Sequence, residues 1–307
     1  MAFTARDVPP QTGRVAVVTG ANAGLGFETT RALAGAGAHV VMAARDQDKA
    51  AMACRRISEE HPGASTEIIP LDLADLASVR DAAARIADRH PSVDLLVDNA
   101  GIMGIPERAT AAGFEMQFGV NHLGHFALTG LLWPALAAGA GARVVTVTSF
   151  GRNFRGRFDP DDPPLRGSYN PWTAYGQSKM ANLRFALELD RRARAAGAPV
   201  EGMSCHPGLT HTGLQHTSAR EAGGWSQQFW SWAARRVGMT QEMGARVVIR
   251  AATDPSASGG DFFAPRWYVA GAADRRPLMP WTRRSATNRT LWEVSERLTG
   301  VRFLPDG

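Results

Sequence analysis

RVAVVTGANAGLG, residues 14–26, sets a short apolar run against a glycine-rich turn. GFETTRALAGAGA continues from it with helical periodicity. A buried strand that turns directly into a helix has a specific use. Gly20 permits the tight turn, and Gly24 and Gly26 let a pyrophosphate approach the backbone where the next helix begins. Free N–H groups and the helix dipole favour an anion at that point. An ordinary strand–helix turn can be built from the same glycines, but the placement after a strand and ahead of a helix favours the phosphate reading.

The rhythm set by this stretch continues. HVVMAAR and DKAAMACRRISEEH form a second strand–helix pair. TEIIPLDL, VDLLVDNAG, ARVVTVTS and VEGMSCHPG are further apolar runs, each followed by a polar or glycine-containing loop. Amphipathic stretches at 75–90, 111–138 and 173–197 lie between them. Continuous apolar strands alternating with helices predict an α/β fold, a doubly wound parallel sheet covered on both faces. No linker divides the chain and no segment repeats. We therefore expect a flexible N-terminal segment at 1–12 and a single domain over 13–307, with a loop-rich, aromatic region from about 208 to 240 and a tail from about 260.

The bulk properties narrow the class. The chain has 307 residues, 44% of them hydrophobic and 21% charged, enough to bury a sizeable core and unlike a disordered chain. Two cysteines, Cys54 and Cys205, imply no disulfide framework and fit a reducing compartment. MAFTARDVPPQTGR has no apolar run of signal-sequence length, and no stretch reaches the roughly 18 apolar residues of a membrane span. A cytoplasmic protein is expected, with peripheral membrane contact left open. The net charge of +5 is spread along the chain without a recognition motif, so no nucleic-acid partner is expected.

Two further stretches carry chemistry. The second strand ends in AAR, so Arg45 stands where a carboxylate would bind the free ribose hydroxyl of NAD. A guanidinium there suits the extra phosphate of NADP, although it also fits a strand end paired with Asp46. In NPWTAYGQSKMANLRFALELD, residues 170–190, Tyr175 and Lys179 are four apart and share a helix face. An ammonium held beside a phenol stabilises the phenolate and is expected to lower its pKa. A surface Tyr–Lys pair would look the same in isolation.

TGANAGLG, LDLADL, DNAG, NHLGHF, VTS and YGQSK occur in the order found in the short-chain dehydrogenase/reductase family, which the chain resembles from about residue 14 to 210. GGDFFAP and LWEVSERLTG resemble the retinol-dehydrogenase-like and protochlorophyllide-reductase-like branch. The resemblance implies a Rossmann-type fold with a helical substrate lid at about 208–240. It implies that Tyr175 is the acid/base, that Lys179 tunes it and holds the nicotinamide ribose, and that Ser149 hydrogen-bonds the substrate oxygen. Asn121 resembles the residue that shapes a water path to the lysine. For the dinucleotide it implies Gly20, Asn22, Gly24, Leu25 and Gly26 in the first turn, with Arg45 beyond the second strand. Asp72 and Leu73 match the adenine pair, Asn99, Ala100 and Gly101 the loop against the cofactor, and Pro207, Gly208 and Thr210 the segment after the sixth run.

Two departures stand out. The stretch between Ser149 and Tyr175 is long and carries Arg152, Arg155 and Arg157, which read more readily as a solvated loop than as an anion site. Asp98 replaces the more usual Asn in DNAG and is expected to be structural. His206, His211 and His216 are evenly spaced, but no carboxylate or cysteine completes a metal motif, so no metal is expected. If GGWSQQFWSWAARRVG is helical, Trp225, Phe229 and Trp232 share a face. That face suits a lipophilic substrate under a lid hinged at Gly223 and Gly224, plain packing, or membrane-surface docking through Arg235 and Arg236. The expectation is an oxidoreductase using NADP(H) on a carbonyl or alcohol group of a lipophilic small molecule. An NAD-dependent enzyme of the same family and a non-catalytic dinucleotide-binding protein are the alternatives. Either a monomer or a homo-oligomer is compatible with this reading.

Overall fold

The computed structural model describes residues 3–153, 169–210, 239–283 and 285–306. From the N-terminus run β1 (Val15–Thr19), α1 (Gly24–Gly35), β2 (His39–Ala44), α2 (Gln47–Glu60), β3 (Ser65–Pro70), α3 (Leu76–Arg89) and β4 (Leu95–Asp98). A broken helix follows: α4 (Met116–Phe118), a π-turn over Gly119–Leu123, α5 (Gly124–Leu131) and α6 (Trp133–Ala137). Then come β5 (Ala142–Val147), α7 (Pro171–Ala195), β6 (Val200–Cys205), α8 (Gln241–Thr253), β7 (Phe262–Pro265), β8 (Ala273–Arg275) and α9 (Ser285–Thr299).

The strands form one eight-stranded sheet in the order β3-β2-β1-β4-β5-β6-β7-β8. All neighbours are parallel except the β7–β8 pair. This is the Rossmann-type, doubly wound single domain expected from the strand–helix rhythm. Alternate residues of each strand feed opposite faces. Val17, Val41, Leu96 and Val144 meet Val79 and Ile86 of α3, Phe126 of α5 and Phe185 of α7. Ala16, Val18, Val40, Met42 and Val145 meet Phe27 and Leu33 of α1, Ile57 of α2 and Val247 and Val248 of α8. The chain winds outward from β1 to β3, then returns to β4 on the other side of β1. A crevice opens at the C-terminal strand ends where the direction reverses.

Local chemistry sets where the helices begin. The Asp46 carboxylate accepts from Lys49 N, Asp75 from Ala77 N, and Asn170 from Trp172 N and Thr173 N, so α2, α3 and α7 are capped by side chains. Pro171 occupies the first turn of α7, where its missing N–H costs nothing. The apolar stretch 111–138 is not one helix. It is broken by the π-turn, and that turn carries Asn121.

The expected tail from about 260 is part of the fold. β7 and β8 extend the sheet, and Trp292 of α9 is 1% exposed, with its ring edge-on to Phe126 at 5.1 Å and stacked on Phe185 at 5.8 Å. Phe126 and Phe185 lie more than a hundred residues earlier, which is why local pattern did not place Trp292 against them. At the other terminus, Phe3 and Val8 pack beside Leu25 of α1 and Ile249 of α8, and Gln11 N donates to Ala36 O at 2.8 Å. The aromatic stretch expected to form a helical lid, with Gly223, Gly224, Trp225, Phe229, Trp232, Arg235 and Arg236, lies outside the described residues.

Gly202 decides how deeply α7 sits on the sheet. A Cβ there would lie 2.3 Å from Ala186 O and 2.9 Å from Asp190 N, both on the α7 backbone. The backbones of β6 and α7 touch only because position 202 has no side chain. Gly202→Ala must therefore push the helix away, and overpacking of this kind costs about 1–3 kcal/mol. Denaturant unfolding of the variant is expected to show that loss, and unchanged stability would mean that the two elements are free to separate.

Candidate active site

A cleft of about 470 Å³ opens along the C-terminal ends of the strands. It gathers residues from six loops: Gly20 to Leu25 after β1, Arg45 after β2, Asp72 and Leu73 after β3, Asn99 to Gly101 after β4, Ser149 after β5, and Pro207 to Thr210 after β6. Tyr175 and Lys179 reach it from α7. Of the residues singled out from sequence, Gly26 and Asn121 do not line it.

One half is built for an anion. Gly20 and Gly24 have φ of +64° and +59°, values that L side chains rarely adopt. A Cβ on Gly24 would meet nothing within 4 Å, so this backbone faces open space. Ala23 at the N-cap of α1 has no side chain able to satisfy the first-turn N–H groups, in contrast with α2, α3 and α7. An uncapped helix start beside open space fits a phosphate group. Gly26 serves a different purpose from the one expected. A Cβ there would sit 2.2 Å from Gly20 O and 2.6 Å from Asn99 Nδ2, so its missing side chain allows the turn to close on itself.

Arg45 is exposed on the cleft wall. Asp46 does not turn toward it. Its carboxylate caps α2 through Lys49 N at 3.0 Å and pairs with Lys49 Nζ at 2.6 Å. The sequence reading missed Lys49, a second cation lining the same end of the cleft. Its position four residues after Arg45, in the first turn of a helix that starts at the strand end, was the available signal.

The other half holds the reactive side chains. Ser149 Oγ accepts from Gly151 N at 3.1 Å, and a hydrogen bond between Ser149 and Tyr175 draws the phenol pKa down. Burial has the larger effect and leaves the Tyr175 pKa above its ordinary value. This is opposite to the direction expected from Lys179. The Lys179 Nζ donates to Val147 O at 3.0 Å. Burial also lowers the Lys179 pKa from 10.5 to about 8, partly offset by Cys205 and Asp98.

Asn121 supports this half from behind. Its Nδ2 donates to Ile102 O and to Ser178 Oγ, both at 2.9 Å, and its Oδ1 accepts from Ile102 N at 2.8 Å. Ser178 Oγ in turn donates to Tyr175 O at 2.9 Å. The amide thus joins the wall at Ile102 to the helix carrying Tyr175 and Lys179. Gly101 fits between, since a Cβ there would lie 3.0 Å from Asn121 Oδ1 and 3.3 Å from Lys179 Nζ.

Behind the wall, Thr19 Oγ1 accepts from Asn99 N and Ala100 N, both at 2.9 Å, and contacts His125 Nε2 at 2.9 Å. His125 Nδ1 faces Asn121 O at 2.9 Å. A carbonyl only accepts, so Nδ1 carries the ring proton and Nε2 takes the Thr19 hydroxyl proton. Burial of this neutral ring lowers its pKa from 6.5 to about 3.

With this geometry in place, the comparisons are specific. A model of the short chain dehydrogenase family matches residues 14–159. Polyprenol dehydrogenase of Mus musculus is 40% identical over 302 residues, covering 96% of this chain and 86% of the relative. The chain belongs to the short-chain dehydrogenase/reductase family. Its place is in the retinol-dehydrogenase-like branch: retinol dehydrogenase 13 of Homo sapiens is 42% identical over 207 residues, 67% of this chain and 62% of that protein. The crystal structure of an uncharacterized protein from Mycobacterium paratuberculosis matches with a TM-score of 0.81 at 38% identity, covering 100% of both chains. Members of this oxidoreductase family bind a nicotinamide dinucleotide, and the cleft has the uncapped helix start that such a group requires.

The remaining candidates of this short-chain dehydrogenase/reductase are placed as follows. Arg152 is not in a solvated loop. It is 7% exposed, its guanidinium lies 4.7 Å from the Phe262 ring centroid, and Nη1 donates to Ser149 O at 3.0 Å. Arg155, Arg157, His211 and His216 lie outside the described residues. His206 is buried beside Phe150. Asp98 is fully buried next to the Thr129 and Thr146 hydroxyls, and burial raises its pKa well above the carboxylate range. Among the described residues, no helix is long and apolar enough to cross a membrane.

The neutral His125 ring makes a testable contribution to acid lability. In the unfolded chain it takes a proton below pH 6.5, but in the native state only near pH 3. The unfolded state therefore binds more protons in this window, and stability falls as pH falls, by up to about 1.4 kcal/mol per pH unit. His125→Gln is expected to flatten the dependence of unfolding free energy on pH between those limits. Equal slopes in the two proteins would mean that the ring is already charged in the fold.

Proposed function

We propose that the chain is an NADP(H)-dependent oxidoreductase that interconverts a carbonyl and an alcohol on a lipophilic small molecule. The observation that carries this reading is one continuous cleft with two cations at one end and Ser149, Tyr175 and Lys179 at the other. The dinucleotide would lie between the α1 start and the Asn99–Gly101 wall, with Arg45 and Lys49 meeting a 2′-phosphate. When bound, the cofactor supplies or receives the hydride.

The protein's own side chains do the rest. Ser149 Oγ and the Tyr175 phenol donate to the substrate oxygen, where negative charge develops during reduction. Tyr175 then gives up its proton to that oxygen. A phenol with a raised pKa is a poor donor, and the Lys179 ammonium lining the same cleft would stabilise the developing phenolate. Asn121, through Ser178 and Ile102, keeps helix and wall in register while this happens. In the oxidation direction the same groups take the proton from the alcohol.

A lipophilic substrate is supported by the rim. The segment between β7 and β8 is tied to the cleft wall by Leu209 N donating to Val269 O at 2.9 Å. It carries Trp267, 74% exposed, and Tyr268 leans toward Pro277, near Met279 and Trp281, which are 56% and 47% exposed. Arg266, Arg276 and Arg283 are in the same segments. Exposed tryptophans among arginines suit brief contact with an anionic membrane surface, from which such a substrate can enter. The free Cys54 and Cys205 fit a reducing, cytoplasmic setting.

Three measurements test this reading. Tyr175→Phe is expected to lower turnover by about 10²- to 10⁴-fold, the usual worth of a positioned acid/base, while NADPH binding is retained. A variant that keeps a large part of the wild-type rate removes the phenol from the chemistry. For cofactor choice, an exposed guanidinium is screened by water, so Arg45→Ala is expected to weaken NADPH by about tenfold, with NADH almost unaffected. Equal losses for both reduced cofactors would refute the phosphate-binding role. Finally, Trp267→Ser with Trp281→Ser is expected to reduce cosedimentation with phosphatidylglycerol vesicles. Wild-type protein that does not sediment with them at low salt would end the membrane reading.

A further inference from the structure

At the opposite end of the sheet from the cleft, three side chains from three elements converge. His39 opens β2, Glu67 lies within β3, and His90 is the C-cap of α3. His39 Nε2 and His90 Nε2 lie 3.6 Å and 2.5 Å from the same carboxylate oxygen, Glu67 Oε1. One ligand atom from each residue lies within 4.8 Å of the other two. The side chains are 30%, 20% and 15% exposed for His39, Glu67 and His90, so they are sheltered yet reachable from solvent.

The surrounding contacts orient this group. Ser65 Oγ is 2.7 Å from His39 Nδ1, which is the outer partner that fixes a ligating imidazole. His39 Nε2 faces the Glu67 carboxylate at 3.6 Å, beyond hydrogen-bond distance. That nitrogen is buried from solvent and has no hydrogen-bond partner. Arg89 Nη1 holds the other oxygen, Glu67 Oε2, at 2.7 Å and leaves Oε1 as the one facing both rings. A buried imidazole nitrogen left without a partner beside a carboxylate oxygen is a position that a shared cation would satisfy.

We propose that His39, Glu67 and His90 bind one divalent transition-metal ion of the zinc type. Two imidazoles and one carboxylate, with a fourth position open to water, are a donor set that zinc accepts. Tetrahedral zinc places its ligand atoms about 3.3 Å apart. The His39–Glu67 spacing is close to that, and the His90 ring has to move outward by about 0.8 Å. The ion would staple the N-terminal ends of β2 and β3 to the end of α3. Arg45 and Asp72 follow the opposite ends of those strands, so the bound metal would stiffen the half of the sheet that carries the nucleotide end of the cleft. It takes no part in hydride or proton transfer. The proposal is independent of cofactor and substrate identity.

The test uses full-length protein without a histidine tag, stripped with chelator and titrated with zinc chloride by calorimetry and by thermal unfolding. The expected result is one saturable equivalent and a melting temperature that rises with zinc, as for any ligand specific to the native state. His39→Gln and His90→Gln are each expected to weaken that equivalent at least about tenfold, since losing only an outer partner of a ligand already costs that much. Circular dichroism of the zinc-free variants verifies that they are folded. Absence of a saturable equivalent overturns the proposal. So does an equivalent that survives both histidine substitutions, since it would then belong to others among the eight histidines.

Discussion

The Thr19 hydroxyl holds together three parts of the molecule that must not drift. It accepts from Asn99 N and Ala100 N beyond β4, and it meets the His125 ring on α5. Thr19 ends β1, the strand at which the winding reverses, so this one oxygen fastens the floor of the cleft at its centre. Through His125 Nδ1 and Asn121 O the same chain of bonds reaches the π-turn, and through the Asn121 amide it reaches Ser178 on α7. The side chains of Thr19, His125, Asn121 and Ser178 along this path are buried. Each hydrogen bond is therefore costly to leave unmade, and the cleft wall is held in one arrangement.

Missing side chains set the shape of the rest. Gly202 lets α7 rest on β6, Gly26 lets the first turn fold back on Gly20, and Gly101 leaves room between Asn121 and Lys179. At these positions even a methyl group would strike backbone or a functional atom. The result is a lysine brought so far into the protein that its pKa falls to about 8, in a site where the neighbouring phenol is pushed the other way. Desolvation acts on both, and it moves a cation and an acid in opposite directions. The Lys179 ammonium donates to Val147 O from the same cleft that Tyr175 lines.

The two halves of the cleft use different physics. The half at the α1 start presents backbone N–H groups of an uncapped helix and exposed cations, where water screens each interaction. The reactive half relies on buried side chains with fixed partners.

Much of this could be read from the chain itself. The strand–turn–helix at 14–26, the apolar runs and the Tyr175–Lys179 spacing determined the fold class, the family and most of the cleft, because each rests on neighbours within a few residues. Arg45 was legible for the same reason, as the residue just beyond a strand. What only the tertiary structure decided involves partners far apart in sequence. These include the burial of Trp292 in what read as a tail, the inward position of Arg152 and the packing role of Gly26. They also include the raised pKa of Tyr175 and the meeting of His39, Glu67 and His90. Periodicity and motifs record which face a residue takes on its own element. Burial, close approach and charge depend on the element packed against that face, and the crossovers of the sheet choose that neighbour.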